Sequence, residues 1–278
     1  MPAAASSVVL LVFALYQAIA GGHDRIAWFG AAVSALPLPF LILRLMIRPV
    51  ERTSENLPIL LLLSAIGVMV PAWEYFIEGV AGLAPLAVAL VNAVIMLLYV
   101  FWYSRFGRIE SMQLGVGNKL PQFRLQDAAG NAVGSDDIGG APAVLLFYRG
   151  NWCPLCMAQI REIVSRYREM AEMGINVVLI SPQSDEHTKT LAGMHNVPFH
   201  FLVDADNKLA ESLGIAIDNG VPFGVPGEFA SNTVMPTVVV TNANGTIVFS
   251  DQTDNYRVRP DPDVFLAILR RSGAFAGE

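Results

Sequence analysis

Two cysteines occur in the 278 residues, and they stand together as Trp152-Cys153-Pro154-Leu155-Cys156. Thiols at this spacing meet within one helical turn and can close a disulfide. No third thiol exists to relay electrons, so thiol redox chemistry here rests on Cys153 and Cys156. The attacking species is a thiolate, so the surroundings must favour ionisation. Pro154 suits the first position of a helix, where a missing N–H costs nothing. That placement aims the positive end of the helix at the Cys153 sulfur. Arg149, four residues earlier, adds a cation where its side chain turns inward; otherwise it is solvated or paired with a carboxylate. Cys156, one turn into the helix and more buried, then attacks a mixed disulfide and releases the reduced partner. A C-x-x-C pair can also be half of a zinc site. The second half is missing, because His23, His187, His195 and His200 are dispersed. No metal is expected, and no cofactor beyond a redox-active Cys153–Cys156 disulfide.

The elements that must position this pair follow from periodicity. Ala143 to Tyr148 is an apolar run fit for a buried strand, and it leads into the cysteines. Met157 to Met173 has apolar residues at helical spacing. Phe123 to Leu125 and Asn131 to Val133 flank Asp127-Ala-Ala-Gly130, a hairpin pattern. Ile175 to Ile180 and Phe199 to Val203 read as strands, with a helix opening at Ser184 between them. A short helix is expected over Lys208 to Leu213. Thr237 to Thr241 and Thr246 to Phe249 flank Asn242-Ala-Asn244-Gly245, a second hairpin. Asp261 to Arg271 closes the chain as a helix. Alternating strands and helices followed by a hairpin give an α/β sandwich with a mixed sheet. Residues 214 to 235 lack regular periodicity and read as a lid over the pair or a surface excursion.

The first hundred residues differ in kind. Apolar residues make up 54% of the chain and charged ones 15%, and most of the charge lies after residue 105. Four apolar stretches approach the length of a membrane span: Ser6 to Ala20, Ile26 to Ile47 with Pro37 and Pro39, Leu57 to Phe76, and Val80 to Tyr103. Trp73, Tyr75, Phe101, Trp102 and Tyr103 fit interfacial belts. Ala18-Ile19-Ala20 resembles a signal cleavage site, but no Lys or Arg precedes it, so a retained helix is the reading taken. Arg44, Arg48, Arg52, Arg105, Arg108 and Lys119 lie on one side of the spans, and Arg25 on the other. That bias puts both termini and the redox domain in the cytoplasm, with the chain a multi-pass plasma (inner) membrane protein. Arg44 and Glu74 are expected to snorkel near helix ends, and Asn92 to bond a neighbouring helix. The domains expected are a four-helix transmembrane bundle over 1–104, a linker over 105–119 and a redox domain over 120–278. The membrane half has no Cys or His in its spans, which leaves it anchoring in the bilayer and homo-oligomerisation. The net charge of −6 and the lack of a basic, aromatic patch exclude nucleic acid as a partner.

Phe147-Tyr148-Arg149-Gly150-Asn151-Trp152-Cys153-Pro154-Leu155-Cys156 resembles the thioredoxin-fold superfamily. The likeness is to its peroxiredoxin-like branch of alkyl hydroperoxide reductase/thiol-specific antioxidant domains, over about residues 116 to 274. Pro121-Gln-Phe123, Leu179-Ile-Ser181-Pro182-Gln183, Met235-Pro236-Thr237 and Tyr256-Arg-Val-Arg259-Pro260-Asp261 carry the rest of it. The resemblance implies a thioredoxin-like sandwich and one of two activities. As a thiol–disulfide oxidoreductase, Cys153 attacks and Cys156 resolves, with Arg149, Trp152 and Pro154 in support. Met235, Pro236 and Thr237 then dock extended substrate, Pro236 standing where the family has a cis-proline. As a thiol peroxidase for hydroperoxides, including lipid hydroperoxides, Cys156 is peroxidatic and Cys153 resolves. The peroxidase pattern wants Pro, Thr and Arg where this chain has Arg149, Cys153 and Met235. Those departures favour disulfide exchange, although Arg149 or Arg257 could supply a cation. Thioredoxin's buried Asp is Phe147 here, which leaves the resolving thiol without that base. Either activity needs an electron-donating thiol system, whereas a redox sensor or membrane scaffold needs no turnover.

Overall fold

The computed structural model describes residues 2–20, 22–222, 225 and 231–271. The chain divides into two compact units, Met1–Pro49 with Thr53–Arg105, and Val50–Arg52 with Phe106–Glu278.

The first unit is helical: α1 (Pro2–Ala20), α2 (Arg25–Ala35), α3 (Pro37–Ile47), α4 (Pro58–Trp73) and α5 (Leu83–Leu98). The second expected span is broken. A bend of 42° separates α2 from α3 at Leu36–Pro37, where the proline ring removes a helical N–H and clashes with the preceding turn. Three helical stretches are long and apolar enough to cross a membrane, Ala3–Ala20, Pro58–Glu78 and Leu83–Tyr103, or four if the bent pair is one span. The last two end in π-helical turns, Glu74–Glu78 and Tyr99–Tyr103. Small residues let the helices approach closely. A Cβ on Gly67 would lie 2.2 Å from the Ser34 nitrogen. The Ser34 hydroxyl donates to the Ala89 carbonyl at 2.9 Å. Two polar expectations are corrected. Asn92 donates to Val88 of its own helix, one turn back, because that carbonyl is within reach without a partner helix. Glu74 is buried within its π turn instead of reaching outward.

In the second unit, seven strands lie in the order β2-β1-β5-β4-β3-β8-β9. These are β1 (Arg124–Asp127), β2 (Ala132–Gly134), β3 (Ala143–Phe147), β4 (Asn176–Ser181), β5 (His200–Val203), β8 (Thr237–Thr241) and β9 (Ile247–Asp251). The central β3, β4 and β5 are parallel; β1 and β8 run antiparallel to them, and the edge strands β2 and β9 run antiparallel to β1 and β8. All five residues of β3 are buried, as its unbroken apolar run requires of a strand covered on both faces. Leu145, Phe147, Val178, Ile180 and Val239 pack on one face with Leu209, Leu213 and Ile215. Their alternates Val144, Leu146, Val177, Leu179 and Val240 are buried too. Each such side chain contributes about 1.5–3 kcal/mol relative to exposure. Asp127 and Asn242 close the two hairpins by accepting backbone N–H groups with their own side chains.

The helix after the cysteines is two helices, α6 (Pro154–Ser165) and α7 (Tyr167–Glu172), because Arg166 leaves helical geometry at φ −98°, ψ 8°. The helices α8 (Asp185–His195), α9 (Lys208–Ser212) and α10 (Pro262–Arg271) follow. Residues 106 to 119, expected as linker, pack within this unit: the Phe106 N–H donates to Asp254, and Lys119 bridges Thr246. At the base of the 214–235 segment, β6 (Ala216–Ile217) pairs antiparallel with β7 (Thr233–Val234). Residues 223, 224 and 226–230 of that expected lid lie outside the described residues.

Candidate redox site

Strand β3 delivers the chain to the site. Tyr148 extends it by one more bond, its N–H to Ile180 at 2.9 Å, and then the backbone turns sharply. Gly150 makes that turn at φ +140°, a region side chains disfavour, and a Cβ there would sit 2.8 Å from Trp152 Nε1. The Cys153 N–H closes the turn on the Gly150 carbonyl at 3.1 Å. Cys153 caps α6 with Pro154 in its first turn, as the sequence predicts, and Cys156 lies within that turn. Both are free thiols.

The pair is closed to solvent, with Cys153 3% exposed and Cys156 0%. A thiol that attacks a protein disulfide must meet it at the surface, and Cys153 does not. The charge also sits differently from expectation. Burial pushes the Cys156 thiol up. The hydrogen bond from Cys153, the Arg259 charge, the Arg149 amide and the Arg149 guanidinium outweigh it and bring it down to about 6. Cys153 is pushed well above the ordinary thiol range by its hydrogen bond to Cys156, by burial and by the Cys156 charge. One contact favours the opposite sense: the Cys156 N–H points at the Cys153 sulfur at 3.4 Å. It is a long, neutral donor, whereas the Arg149 amide and the Cys153 hydrogen bond both act on Cys156; the two arginine charges reach both thiols.

Arg149 turns inward, and its other sequence readings fall away. It stacks over Trp152, with Cζ 4.6 Å from the ring centroid, and donates to the Gly220 carbonyl at 2.5 Å. Its own carbonyl accepts the Thr233 hydroxyl at 3.0 Å. The described base of the 214–235 segment is therefore fastened to the residue before the turn. Behind the turn lies a polar network that sequence reasoning did not assign to the site. Gln183 accepts the Asn151 N–H at 2.9 Å and donates to the Tyr148 hydroxyl at 3.0 Å and to Thr188 at 3.3 Å. Burial raises the Tyr148 pKa, so its hydroxyl stays protonated.

The docking residues are corrected. Every described peptide bond is trans, Met235–Pro236 included, so Pro236 is not a cis-proline. Trans is the ground state of an X–Pro bond, and the surrounding hydrogen bonds suit it. The Met235 N–H donates to Ile215, its carbonyl accepts the Thr237 hydroxyl, and the Pro236 carbonyl accepts from Arg108 at 3.2 Å. Pro236 and Thr237 are buried. The Met235 N–H and the Met235 and Pro236 carbonyls are thus already bonded within the protein.

Two further arginines converge here. Arg108 donates to Thr237 Oγ1 at 2.9 Å, and Thr237 pairs with Phe147 at the end of β3. Arg259 is 5% exposed and its charge reaches both thiols. The signal for Arg259 was the pair of arginines before Pro260 in an acidic chain, from which the sequence reading picked Arg257. Arg257 is completely buried. Among the described residues no group of three His, Cys, Asp or Glu side chains could hold a metal.

A model of the AhpC/TSA family matches residues 116–250. A putative peroxiredoxin of Mycobacterium tuberculosis is 30% identical over 105 residues, 38% of this chain and 67% of that protein. The chain belongs to the AhpC/TSA family. Peroxiredoxin Bcp of Bacillus subtilis is 31% identical over 104 residues, 37% of this chain and 66% of that protein. The chloroplastic peroxiredoxin Q of Sedum lineare is 32% identical over 102 residues, 37% of this chain and 55% of its own length. Among solved structures, peroxidoxin BcpB of M. tuberculosis is similar at 22% identity and a TM-score of 0.47, over 56% of this chain and 96% of that one. The helical unit before residue 106 lies outside the family match.

Proposed function

We propose that this AhpC/TSA protein is a thiol peroxidase in which Cys156 is peroxidatic and Cys153 resolves. The observation that carries this reading is the closure of both thiols to solvent, Cys153 3% and Cys156 0% exposed, which admits a small hydroperoxide and shuts out a protein disulfide; the Cys153 hydrogen bond and the Arg149 amide, which act on Cys156, favour it as the thiolate. The Cys156 thiolate attacks the distal oxygen of a hydroperoxide. The O–O bond breaks, an S–O bond forms, and the alkoxide leaves and takes a proton from water. The Cys153 thiol then displaces water from the Cys156 sulfenic acid, which forms the disulfide. A thiol donor system supplies two electrons to restore both thiols. Burial of the pair favours small hydroperoxides over protein disulfides. The family relatives, named as peroxiredoxins, support the same choice over disulfide exchange.

The second reading, thiol–disulfide exchange with Cys153 attacking, retains one supporting contact, the Cys156 N–H at the Cys153 sulfur. Peroxide consumption and insulin disulfide reduction by the wild type, Cys153→Ser and Cys156→Ser separate the two. Peroxide oxidation that survives one turnover in Cys153→Ser and vanishes in Cys156→Ser is expected. Insulin reduction that depends on Cys153 without peroxide turnover contradicts the peroxidase. The apolar helices support a role for the first unit as a multi-pass bilayer anchor and a site of homo-oligomerisation; the bias of Arg44, Arg48, Arg52 and Arg105 to one side of them supports a cytoplasmic redox unit, with lipid hydroperoxides among its substrates.

A further inference from the structure

Three large apolar side chains of the second unit stand in the open within eight residues of chain. Ile109 is 86% exposed, Met112 89% and Val116 67%. Elsewhere in the described part of that unit, Met194 and Val264 stand exposed singly, which is ordinary for a protein surface. A cluster of three is not, and its backbone is firmly held. The Arg108 and Ser111 N–H groups donate to the Asp254 and Gln252 side chains, each at 2.7 Å. The Met112 carbonyl accepts from the Asn118 side chain at 2.7 Å and from the Gly115 N–H at 3.2 Å. Gln113 donates to the Ser212 carbonyl at 2.9 Å. Leu114 turns inward to the sheet core, while Met112 and Val116 on either side of it face out.

What covers these side chains follows from the chain that leads to them. The stretch Leu83–Tyr103 is long and apolar enough to cross a membrane, and it ends in exposed Phe101, Trp102 and Tyr103, residues suited to the headgroup level. Phe106 is already fastened to the second unit, its N–H donating to the Asp254 carbonyl at 3.1 Å. It follows Tyr103 by three residues, which caps the tether at about 11 Å. Ile109 comes three residues later. Apolar surface held this near the end of a span leaves water for the lipid interface, into which interfacial segments sink about 5–10 Å. Glu110, between Ile109 and Met112, limits the depth, because a carboxylate stays at the headgroup level. Ile109 and Met112 precede the residues that match the AhpC/TSA model, so the feature belongs to this chain and not to the family fold.

We infer that residues 109–116 form a lipid-docking surface of the redox unit, with Ile109, Met112 and Val116 set among phospholipid headgroups and the upper acyl chains. This rests on the reading of the first unit as a bilayer anchor. The surface is joined to the redox site by its own segment. Arg108 donates to the Pro236 carbonyl and to Thr237, and Thr237 pairs with Phe147, the last residue of β3 before the thiol turn. Docking of the segment thus holds the strand that carries the thiols in one orientation to the bilayer.

The test uses the full-length chain with Cys153→Ser and Cys156→Ser, reconstituted into vesicles of phosphatidylethanolamine and phosphatidylglycerol. Single cysteines from Ile109→Cys, Met112→Cys, Met194→Cys and Met69→Cys each carry an environment-sensitive fluorophore. Its quenching is measured with a nitroxide-bearing lipid and with aqueous iodide. The labels replacing Ile109 and Met112 are expected to be quenched several-fold more by the lipid, and several-fold less by iodide, than the label replacing Met194. Either of the two decides the matter if the other variant does not fold. Met69, exposed within Pro58–Glu78, reports on the anchor itself. If lipid quenches the label replacing Met69 while those replacing Ile109 and Met112 behave like the one at Met194, the docking surface is overturned and the anchor stands. Protection of Ile109 and Met112 labels from both quenchers shows a protein interface, such as a second copy of the chain, and also overturns it. No lipid quenching at the Met69 position overturns the anchor reading, and the docking surface with it.

Discussion

At the scale of residues, the account depends on which of two adjacent thiols carries the charge. Their types and spacing were plain in the sequence, and so was the helix start that Pro154 marks. Their ionisation was not, because it depends on burial and on groups far away in the chain as well as on the pair itself. Arg259 lies 103 residues beyond Cys156, and only the fold brings its charge to the thiols. Met235 stands where the peroxidase pattern wants a cation, and Arg259 brings one from a different segment. The charge placement has a kinetic consequence. Protonation of Cys156 removes the nucleophile, so the peroxide rate should fall about tenfold per pH unit below its pKa and level off above it. Stopped-flow rates are expected to reach half their plateau near pH 6. An attack by Cys153, whose thiol is pushed the other way, would move the climb well into alkaline pH.

At the scale of elements, period and turn chemistry were legible while one break was not. The β3 strand, both hairpins and α8 lie where the pattern puts them, because each is written locally: an unbroken apolar run, Asp127 and Asn242 closing turns, and Ser184 capping. The break at Arg166 depends on packing that periodicity does not encode, whereas the one at Leu36 is written locally by Pro37 and breaks an otherwise continuous apolar run. The residues 105–119 read as linker because they are polar, yet the Arg108 side chain donates to Thr237 and the Ser111 backbone N–H to Gln252. Asp204 is another residue whose role emerges from the fold. It is buried, and its carboxylate accepts the N–H groups of Leu209 and Ala210 at 2.8 and 2.9 Å, which starts α9 beneath the core. Burial raises its pKa while those two bonds pull it down. Asp204→Ala leaves two buried donors unmet and is expected to cost about 1–3 kcal/mol. Thermal unfolding of the full-length variant, followed by near-ultraviolet circular dichroism, checks this; an unchanged midpoint would show the bonds to be dispensable.

At the scale of the whole molecule, the two units differ in what they bury. The helices of the first leave large apolar side chains on the outside, among them Ile19, Ile59, Met69 and Phe76. The second encloses its apolar residues in the sheet core. A bilayer would cover the exposed faces, and the arginine bias would keep the redox unit on the cytoplasmic side. Because both native cysteines are buried, they are poor reporters of sidedness. Met194, 70% exposed on α8, is a better position. Met194→Cys in a chain lacking Cys153 and Cys156 should resist a membrane-impermeant maleimide in intact cells and react after permeabilisation. Labelling of intact cells would place the unit outside, and an odd number of spans would explain it.

The central claim is that Cys156 attacks peroxide, and a single-turnover trap tests it most directly. Cys153→Ser and Cys156→Ser are each mixed with one equivalent of hydrogen peroxide and a dimedone-type sulfenate reagent, and the adducts are located by mass spectrometry. The account predicts a sulfenate adduct on Cys156 in Cys153→Ser and none in Cys156→Ser. An adduct on Cys153 in Cys156→Ser, with Cys156 silent in the other variant, would contradict it.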